Sequence, residues 1–410
     1  LETTEVTSTL SDAELTDART GVKATFIGYD VFTQLEYSPG KFEVVRTQVA
    51  RYGFGGDGAR GVLSAAAPAK VIPRAPAGNS LLADMLVGKL VDHLPLYRLH
   101  ARYARAGLEI PRSTLAEWFA RAADTLKPLA DRLLERVQAS EIVRIDASGI
   151  KVQAHDKPGN IYRGTMWCMV GNDSDVVFRF TPEGTGQAGP WNYLKGYTGY
   201  VQSDAASVFD RLFNGLVANA TPVGCNAHAR RKFVALMDTD SRVAYPLLLY
   251  RRLYKLETLG KLKGLDGDEL TAFRQERSVP VLNKLYLWFA RNAMADPPDM
   301  PFAKAIAYAI NHRDKLTRFV DDGRLDIDNN LNEQQIRSLA LGRKNFLFAG
   351  SDEAAERLAA GYTLTRTCAM HGVEPLAYLT DVLGKLAAGW PTDRLDQLLP
   401  DAWSNPTGPA

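Results

Sequence analysis

Three carboxylates lie at positions in the chain where an acidic side chain calls for either a functional or a structural explanation. Asp146 ends the apolar run that begins at Ile142, and a carboxylate buried there is costly unless it is paired or bound to a metal. Asp204 follows a predicted strand, and strand ends of an α/β sheet are where ligands bind. Glu333 lies at the expected start of a helix. Taken singly, each acid also fits a structural role, as an arginine partner or at a helix N-terminus.

Together the three acids point to phosphodiester chemistry. Cleavage of a phosphodiester by water or by a 3′-hydroxyl needs an activated nucleophile and neutralised charge at the leaving oxygen. Two Mg²⁺ (or Mn²⁺) ions about 3.5–4 Å apart supply both, and hard carboxylate oxygens hold such ions. We therefore predict that Asp146, Asp204 and Glu333 bind two ions in each active site and leave positions open for phosphate and water.

The elements that must position the first two acids are predicted between residues 140 and 226. Three strands are expected there first, at about 142–152, 161–170 and 175–181. A short helix at 186–196, a strand at 199–203, a helix at 206–218 and a strand at 222–225 follow. This order is typical of an α/β core of the ribonuclease-H-like type.

Helices are predicted on both sides of this core. Residues 79–139 indicate three helices, with Gly107 ending the second and Thr114 capping the third through a capping box with Glu117. This unit fits a helix-turn-helix that binds DNA, and it fits a helical packing domain with a basic surface equally well. Leucines spaced by three and four residues predict a helical insertion over 240–325. Further helices are expected at about 330–340, 352–371 and 375–388.

The N-terminal part is expected to contain a small β-module. Apolar and polar residues alternate in the stretch 23–52, which is typical of a strand. The glycines of residues 53–58 predict a loop.

The longest motif of the chain is DIDNNLNE, from Asp326 to Glu333, which continues as far as Ser351. Four other segments accompany it, namely DHLPLYR at 92–98, RSTLA at 112–116, CNAHARRKF at 225–233 and RLDQLLP at 394–400. On these motifs the chain, from about Lys41 to Trp403, resembles the transposases of the insertion-sequence-66 family.

The resemblance implies a DNA transposase whose catalytic Asp, Asp and Glu fall on Asp146, Asp204 and Glu333. Such an enzyme cleaves DNA at the ends of an insertion sequence and transfers the freed strand into target DNA. A homodimer or larger assembly is expected, because two element ends must be joined, and small accessory transposition proteins are implied as partners.

The resemblance and the helical pattern together predict nine segments. In chain order they are a polar leader (1–22), a degenerate zinc-finger-like β-module (23–64), a linker (65–78), a helical DNA-binding domain (79–139), the first part of the ribonuclease-H-like core (140–239), a helical insertion (240–325), the final catalytic segment (326–350), C-terminal helices (351–390) and a tail (391–410).

Basic residues close to the motifs are candidates for phosphate contacts. They are Arg98, Arg112, Arg230, Arg231, Arg337, Arg343 and Lys344. Arg337 shares a helix face with Glu333, so it is expected either to hold that carboxylate or to touch DNA. His228, which forms a CxxH pair with Cys225, is expected near the metals or in a strand-to-helix turn.

The chain also departs from the family. No CxxC pair is present, so no zinc is expected. Ala147 and Ser148 follow the first Asp where the family has Glu and Thr, Gln334 replaces an Arg, and Asn226 replaces a Trp. None of these changes removes a catalytic carboxylate.

Composition leaves two rival functions open. The 410 residues carry a net charge of +2 and 3 cysteines, and no apolar run is long enough for a membrane, so a cytoplasmic protein is expected. One rival is a catalytically inert, transposase-derived DNA-binding protein. The other is a ribonuclease-H-like DNA nuclease or resolvase that transfers no strand. A glycosidase with paired carboxylates is disfavoured, because nothing resembles a sugar-stacking cleft.

Overall fold

The protein was analysed as a computed structural model, which describes residues 40–48, 51–53, 62–64, 68–154, 158–182 and 189–405. The chain divides into two compact units, Leu1–Val45 and Arg46–Ala410. All the described helices and strands lie in the second unit.

Two sheets occur among the described residues. A small antiparallel hairpin pairs β1 (Arg51–Gly53) with β2 (Val62–Ser64). The larger sheet has five strands, which are β3 (Ile142–Gln153), β4 (Ile161–Gly171), β5 (Asp175–Thr181), β6 (Tyr200–Ser203) and β7 (Thr221–Gly224).

The five strands lie in the order β5-β4-β3-β6-β7. On one side of β3, the strands β4 and β5 form an antiparallel meander. On the other side, β6 pairs with β3 and β7 pairs with β6, both in parallel. β3 is therefore the central strand, with β6 beside its first three residues and β4 along nearly its whole length.

The described part of the chain contains twelve α-helices. They are α1 (Asn79–Leu90), α2 (Leu96–Arg105), α3 (Arg112–Ala139), α4 (Asn226–Val234), α5 (Ala244–Leu262), α6 (Gly267–Arg277), α7 (Val279–Asn292), α8 (Pro301–Asn311), α9 (Arg313–Thr317), α10 (Asn330–Phe346), α11 (Asp352–Met370) and α12 (Pro375–Ala387).

Helix α11 covers the outer edge of the sheet. The hydroxyl groups of Thr363 and Thr367 accept hydrogen bonds from the backbone N–H groups of Phe178 (2.8 Å) and Val176 (3.1 Å) in β5. An edge strand normally leaves such groups open to another chain. Here the threonines satisfy them from a helix, so the sheet ends at β5.

Buried side chains form two separate cores. The first joins the five-stranded sheet to α1, α2, α3, α11 and α12. The second is built largely from the helices α4, α5, α7, α8 and α9 and includes Phe233, Leu253, Phe289 and Phe319. The helical region that was expected over 240–325 therefore buries its apolar surface largely within itself and around α4.

The five predicted core strands are confirmed, but the two helices expected between them are wrong. In their place lie short 3-10 turns, Pro190–Asn192 and Ser207–Leu212; residues 183–188 lie outside the described chain. The second turn cannot extend, because Asn214 leads into Gly215, which adopts a left-handed conformation (φ +77°) that ends a helix.

Two local predictions at the N-terminal side also need correction. Over residues 40–48 the expected strand is not formed, and Val44 and Val45 are exposed; residues 23–39 lie outside the described chain. Helix α3 begins at Arg112, and Pro111 is its N-cap residue, so Thr114 lies inside the first turn and does not cap the helix. The ring of Pro111 fixes the backbone φ of the residue that precedes the first turn. Gly107 (φ +86°) does follow the end of α2, as expected.

The C-terminal segment is packed rather than extended over the described residues. Leu398 and Leu399 are buried in the first core, and the indole N–H of Trp403 donates a hydrogen bond to Asp381 of α12 (2.8 Å). Arg132 and Arg136 of α3 form ion pairs with Asp396 and Asp401. None of the helices in the described part of the chain combines the length and apolar character needed to cross a membrane.

Phe289→Ala tests whether the second core stabilises its helices. Phe289 is fully buried and stacks on Phe233 (ring centroids 5.4 Å apart), so truncation is expected to lower the free energy of unfolding by about 3–5 kcal/mol. Urea unfolding of the full chain measures this loss. Leu287→Ala on the same helix is the control, since Leu287 is 52% exposed and should cost little. Equal losses for both variants would contradict a packed second core.

Candidate active site

The register of β3 and β6 brings Asp146 and Asp204 to neighbouring positions. Arg144 pairs with Gln202 at the end of the parallel ladder. Asp146 and Asp204 each lie two residues beyond this last pair, and the Asp204 carboxylate is close enough to add to burial in raising the pKa of Asp146. The two acids therefore lie near each other where β6 ends.

Glu333 approaches these two acids from the first turn of α10. The turn is held to the sheet by two buried amides. Asn329 donates a hydrogen bond to the carbonyl oxygen of Ile145 (3.0 Å), the residue before Asp146. Asn332 donates to the carbonyl oxygens of Arg144 and Cys168, both at 2.9 Å. The start of α10 is thereby fixed to β3 and β4 on either side of the first carboxylate.

A buried ion pair anchors the segment that leads into α10. The guanidinium group of Arg144, which is 1% exposed, binds Asp326 at 2.6 Å and also pairs with Asp173. Gln202 of β6 donates a hydrogen bond to the backbone oxygen of Asp326 (2.7 Å). Since an unpaired buried charge is strongly unfavourable, Arg144 ties the connection from the insertion to the centre of the sheet.

The environment of Asp146 disfavours its ionised form. Burial, the largest cause, and the nearby Asp204 and Glu333 carboxylates together raise the pKa of Asp146 to about 6, against the opposing effects of the Ala147 backbone N–H (2.7 Å) and the Arg231 cation. The mutual influence of the three acids on this pKa agrees with their placement close together. Such a cluster of oxygen donors is one that a divalent cation would stabilise.

The cations beside the cluster come from helix α4. Arg231 binds Glu333 at 2.5 Å (Nη2 to Oε1), although 51% of the Arg231 side chain is exposed. Nδ1 of His228 lies 3.6 Å from the same Glu333 oxygen. Burial and the Arg231 cation lower the pKa of His228, so its neutral form is favoured at physiological pH. Glu333 is therefore held by α4, whereas Arg337 is exposed on α10.

The donor set fits hard divalent metal ions. Asp146 in β3, Asp204 just after β6 and Glu333 in α10 offer carboxylate oxygens, the ligand type that Mg²⁺ and Mn²⁺ prefer. Their repulsion is only partly offset by Arg231. A bound cation would remove the remaining unfavourable interaction.

The other predicted DNA-contact residues differ in their surroundings. Arg230 and Lys344 are exposed on α4 and α10. Arg343 instead donates hydrogen bonds to Ser148 Oγ (2.8 Å) and to the backbone oxygen of Gly149 (2.5 Å), which tethers α10 to β3. Arg98 lies beside the hydroxyl group of Tyr97 on α2, and Arg112 is exposed at the start of α3. In the described part of the chain, neither Arg98 nor Arg112 forms a hydrogen bond with Asp146, Asp204 or Glu333.

Sequence reasoning missed the residues that position the acids. Arg144, Asn329 and Asn332 carry no chemistry of their own, and their roles depend on contacts across more than a hundred residues of chain. The signal available was the density of Asp and Asn before Glu333. Asn226, which stands where the family has Trp, is also structural, since its buried amide donates to the backbone oxygens of Leu316 (2.8 Å) and Ile327 (3.1 Å).

Comparison with known proteins gives consistent matches over most of the chain. The family described as "Transposase IS66 family" matches residues 74–357, and the "IS66 C-terminal element" matches residues 363–400. The uncharacterized protein y4qI of Sinorhizobium fredii (strain NBRC 101917 / NGR234) is 34% identical over 400 residues, which cover 93% of this chain and 72% of that protein. The uncharacterized proteins y4hP and y4jD of the same strain are 31% and 30% identical over 408 and 393 residues, covering 93% and 92% of this chain and 72% and 76% of theirs.

Asp146→Asn tests the electrostatic strain at the site. Because the folded pKa of about 6 exceeds the unfolded value, wild-type stability falls as pH rises from about 4 to 6 and stays low above it. In metal-free buffer at pH 7.5, the variant is therefore expected to be more stable than the wild type by about 1–3 kcal/mol. The gain should vanish near pH 4. Denaturant unfolding at both pH values measures it.

The exposed Asp299→Asn substitution is the matched control, and it should show no such pH dependence. A wild type that gains stability relative to Asp146→Asn as pH rises would contradict the assignment.

Proposed function

We propose that this chain, which belongs to the IS66 family of transposases, cleaves DNA at insertion-sequence ends and transfers the freed strands by two-metal-ion chemistry at Asp146, Asp204 and Glu333. The observation that carries the proposal is the proximity of the three acids: beside burial, both Asp204 and Glu333 raise the pKa of Asp146, and two buried amides hold the start of α10, which carries Glu333, against β3. Family membership supports a DNA-processing role. The assignment of the residues rests on the site itself.

The topology of the sheet supports a ribonuclease-H-like core. A central β3 has an antiparallel meander on one side and two parallel strands on the other. The first two acids lie on the central strand and just after its parallel neighbour. The third comes from a helix that packs on β3 and β4 after a helical insertion.

Each side chain of the site has a distinct task in this mechanism. Asp146, Asp204 and Glu333 would hold the two Mg²⁺ or Mn²⁺ ions. Bound metals would activate the attacking oxygen and neutralise charge on the leaving oxygen. Arg231 lies at Glu333 with half its side chain in solvent, where it can bind a phosphate oxygen. His228 in its neutral form adds no charge beside the metals.

Exposed basic residues near the site are proposed to guide the DNA backbone. Arg230 on α4 and Arg337 and Lys344 on α10 belong to the two helices that frame Glu333. Arg98 and Arg112 would act in the helical domain of residues 79–139. A dimer or larger assembly would bring two element ends together, with small accessory proteins as further partners.

The two rival functions make different demands on the acids. An inert DNA-binding protein gains nothing from a buried Asp146 whose pKa is raised by burial and by two neighbouring carboxylates, Asp204 and Glu333, and this unfavourable arrangement favours an active site. A nuclease or resolvase on the same core would need the same acids. It would cut branched DNA without strand transfer, so an assay that scores both nicked and strand-transfer products distinguishes a resolvase from a transposase.

Asp204→Asn is expected to lower Mg²⁺-dependent cleavage at the terminal sequences of its insertion sequence by about 10²-fold or more, a barrier increase of about 3 kcal/mol. Asp204 supplies a metal ligand in the proposal, and the amide would bind the ion far more weakly. The measurement uses labelled DNA with Mg²⁺, Mn²⁺ or EDTA, and it scores both nicked and strand-transfer products.

Asp299→Asn serves as the control and should cleave normally. Cleavage that survives in EDTA, or an Asp204→Asn variant as active as wild type, would refute the two-metal assignment. Nicking of branched DNA with no joined product would favour the resolvase. Binding of the ends without cleavage in either metal would favour the inert protein.

Lys344→Gln is expected to weaken DNA binding at all sequences alike, because a phosphate contact carries no sequence information. Each lost contact should reduce the slope of log K against log salt by about 0.9. Fluorescence anisotropy between low and moderate salt measures the slope. Lys261→Gln, an exposed lysine on α5, is the control. An unchanged slope in Lys344→Gln would remove this residue from the proposed DNA path.

A further inference from the structure

Three metal-ligating side chains of different types meet beside the carboxylate cluster. Cys225 directly precedes α4, His228 lies in its first turn, and Glu333 lies in the first turn of α10. One ligand atom from each lies within 4.8 Å of the others. The CxxH spacing places the first two on the same end of one helix, and α10 supplies the third.

The thiol of Cys225 is positioned as a ligand rather than as a simple core residue. Its sulfur is buried and accepts a hydrogen bond from the backbone N–H of Asn329 (3.3 Å). It also stands at the N-terminus of α4, where the helix dipole favours a thiolate.

The imidazole of His228 has an open ligand position. Its Nδ1 is buried and has no hydrogen-bond partner among the described residues. The same atom lies 3.6 Å from Oε1 of Glu333. A buried nitrogen that lacks a partner is unfavourable, and a cation placed between these atoms would satisfy it.

We propose that Cys225, His228 and Glu333 form a binding site for a thiophilic divalent cation of the Zn²⁺ type, separate from the two proposed magnesium positions but sharing Glu333. Thiolate, imidazole and carboxylate are the three ligand types of zinc, and three protein ligands leave a fourth position for water. Mg²⁺ avoids sulfur. Binding replaces the thiol proton of Cys225, which is released to solvent.

The sequence predicts no zinc, because it contains no CxxC pair and no second ligand pair close to Cys225 in the chain. The fold supplies a third ligand, Glu333, from a distant part of the chain. No second cysteine pair is required for this type of site.

Glu333 would then have three competing partners: the thiophilic cation, the proposed magnesium ions and Arg231. A cation held by Cys225 and His228 would displace Arg231 and withdraw Glu333 from the magnesium ions. Zn²⁺ should therefore inhibit cleavage in the presence of Mg²⁺. This inhibition rests on the proposed function, whereas the binding of the cation does not.

The test is titration of the full-length, metal-free chain with Co²⁺, a spectroscopic substitute for Zn²⁺. A thiolate-to-cobalt charge-transfer band that saturates at one ion per chain is expected, and added Zn²⁺ should abolish it. Cys225→Ser should remove the band. His228→Gln, at a partly exposed position, should weaken apparent Co²⁺ affinity by about 10-fold or more. Circular dichroism verifies the fold of each variant.

Cys368→Ser is the matched control, because Cys368 is an equally buried cysteine of α11 outside the cluster, and this variant should keep the band. Arg231→Gln should bind Co²⁺ several-fold more tightly, because Glu333 no longer has a competing cation. Absence of the band in the wild type, its survival in Cys225→Ser, or its equal loss in Cys368→Ser would each overturn the proposal.

Cleavage assays with added Zn²⁺ separate this inference from the proposed function. Inhibition that is strong in the wild type and weak in Cys225→Ser supports a shared Glu333. A chain that shows the Cys225-dependent band but never cleaves DNA contradicts only the transposase chemistry. A chain that cleaves with Mg²⁺ but shows no band contradicts only the thiophilic site.

Discussion

The side-chain amides of Asn329 and Asn332 hold the start of α10 against β3 and β4, and the candidate site depends on this contact. Both side chains are buried, and both donate to backbone oxygens that flank Asp146 in β3 or face it in β4. A buried amide without such partners is unfavourable, so α10 can start in this position only while the central strand is formed. The backbone that carries Glu333 is thus positioned by the hydrogen bonds of its neighbours, and Arg231 then binds the Glu333 carboxylate.

The charge of the site is balanced less completely than that of the surrounding frame. Arg144, fully buried, has Asp326 and Asp173 as partners, and this network stabilises the approach to α10. In contrast, Asp146 is buried near two other acids with Arg231 as a partial counter-charge, and burial together with these acids raises its pKa to about 6. The Arg144 ion-pair network therefore holds three acids close together although their mutual repulsion is unfavourable. A bound cation would relieve this repulsion, and such an arrangement is typical of functional sites.

The insertion reaches the site through its own core. Phe233 of α4 stacks on Phe289 of α7, so the helix that carries His228 and Arg231 belongs to the second core. Glu333 belongs to the helix that packs on the sheet. The Arg231–Glu333 ion pair thus joins the two cores at the carboxylates. Any cation or DNA phosphate that breaks this pair would act on the contact between insertion and sheet.

By itself, the amino-acid sequence determined most of the helices and strands and singled out the three candidate acids. Alternating and continuous apolar runs predicted all five core strands, because burial of a strand depends on local side-chain pattern. The spacing of four and three residues between Leu249, Leu253 and Leu256 likewise predicted an insertion helix, which the structure forms as α5. The helix expected over 206–218 failed because Gly215 ends the turn early, a local conformation that apolar periodicity does not encode.

Only the tertiary structure decided which side chains meet. It gave Glu333 an Arg231 partner from α4 instead of the Arg337 on its own helix, and it turned Arg343 toward β3. It also brought Cys225 and His228 to Glu333. Such contacts join residues far apart in the chain, and they depend on strand register and helix packing that emerge only when the whole core is assembled.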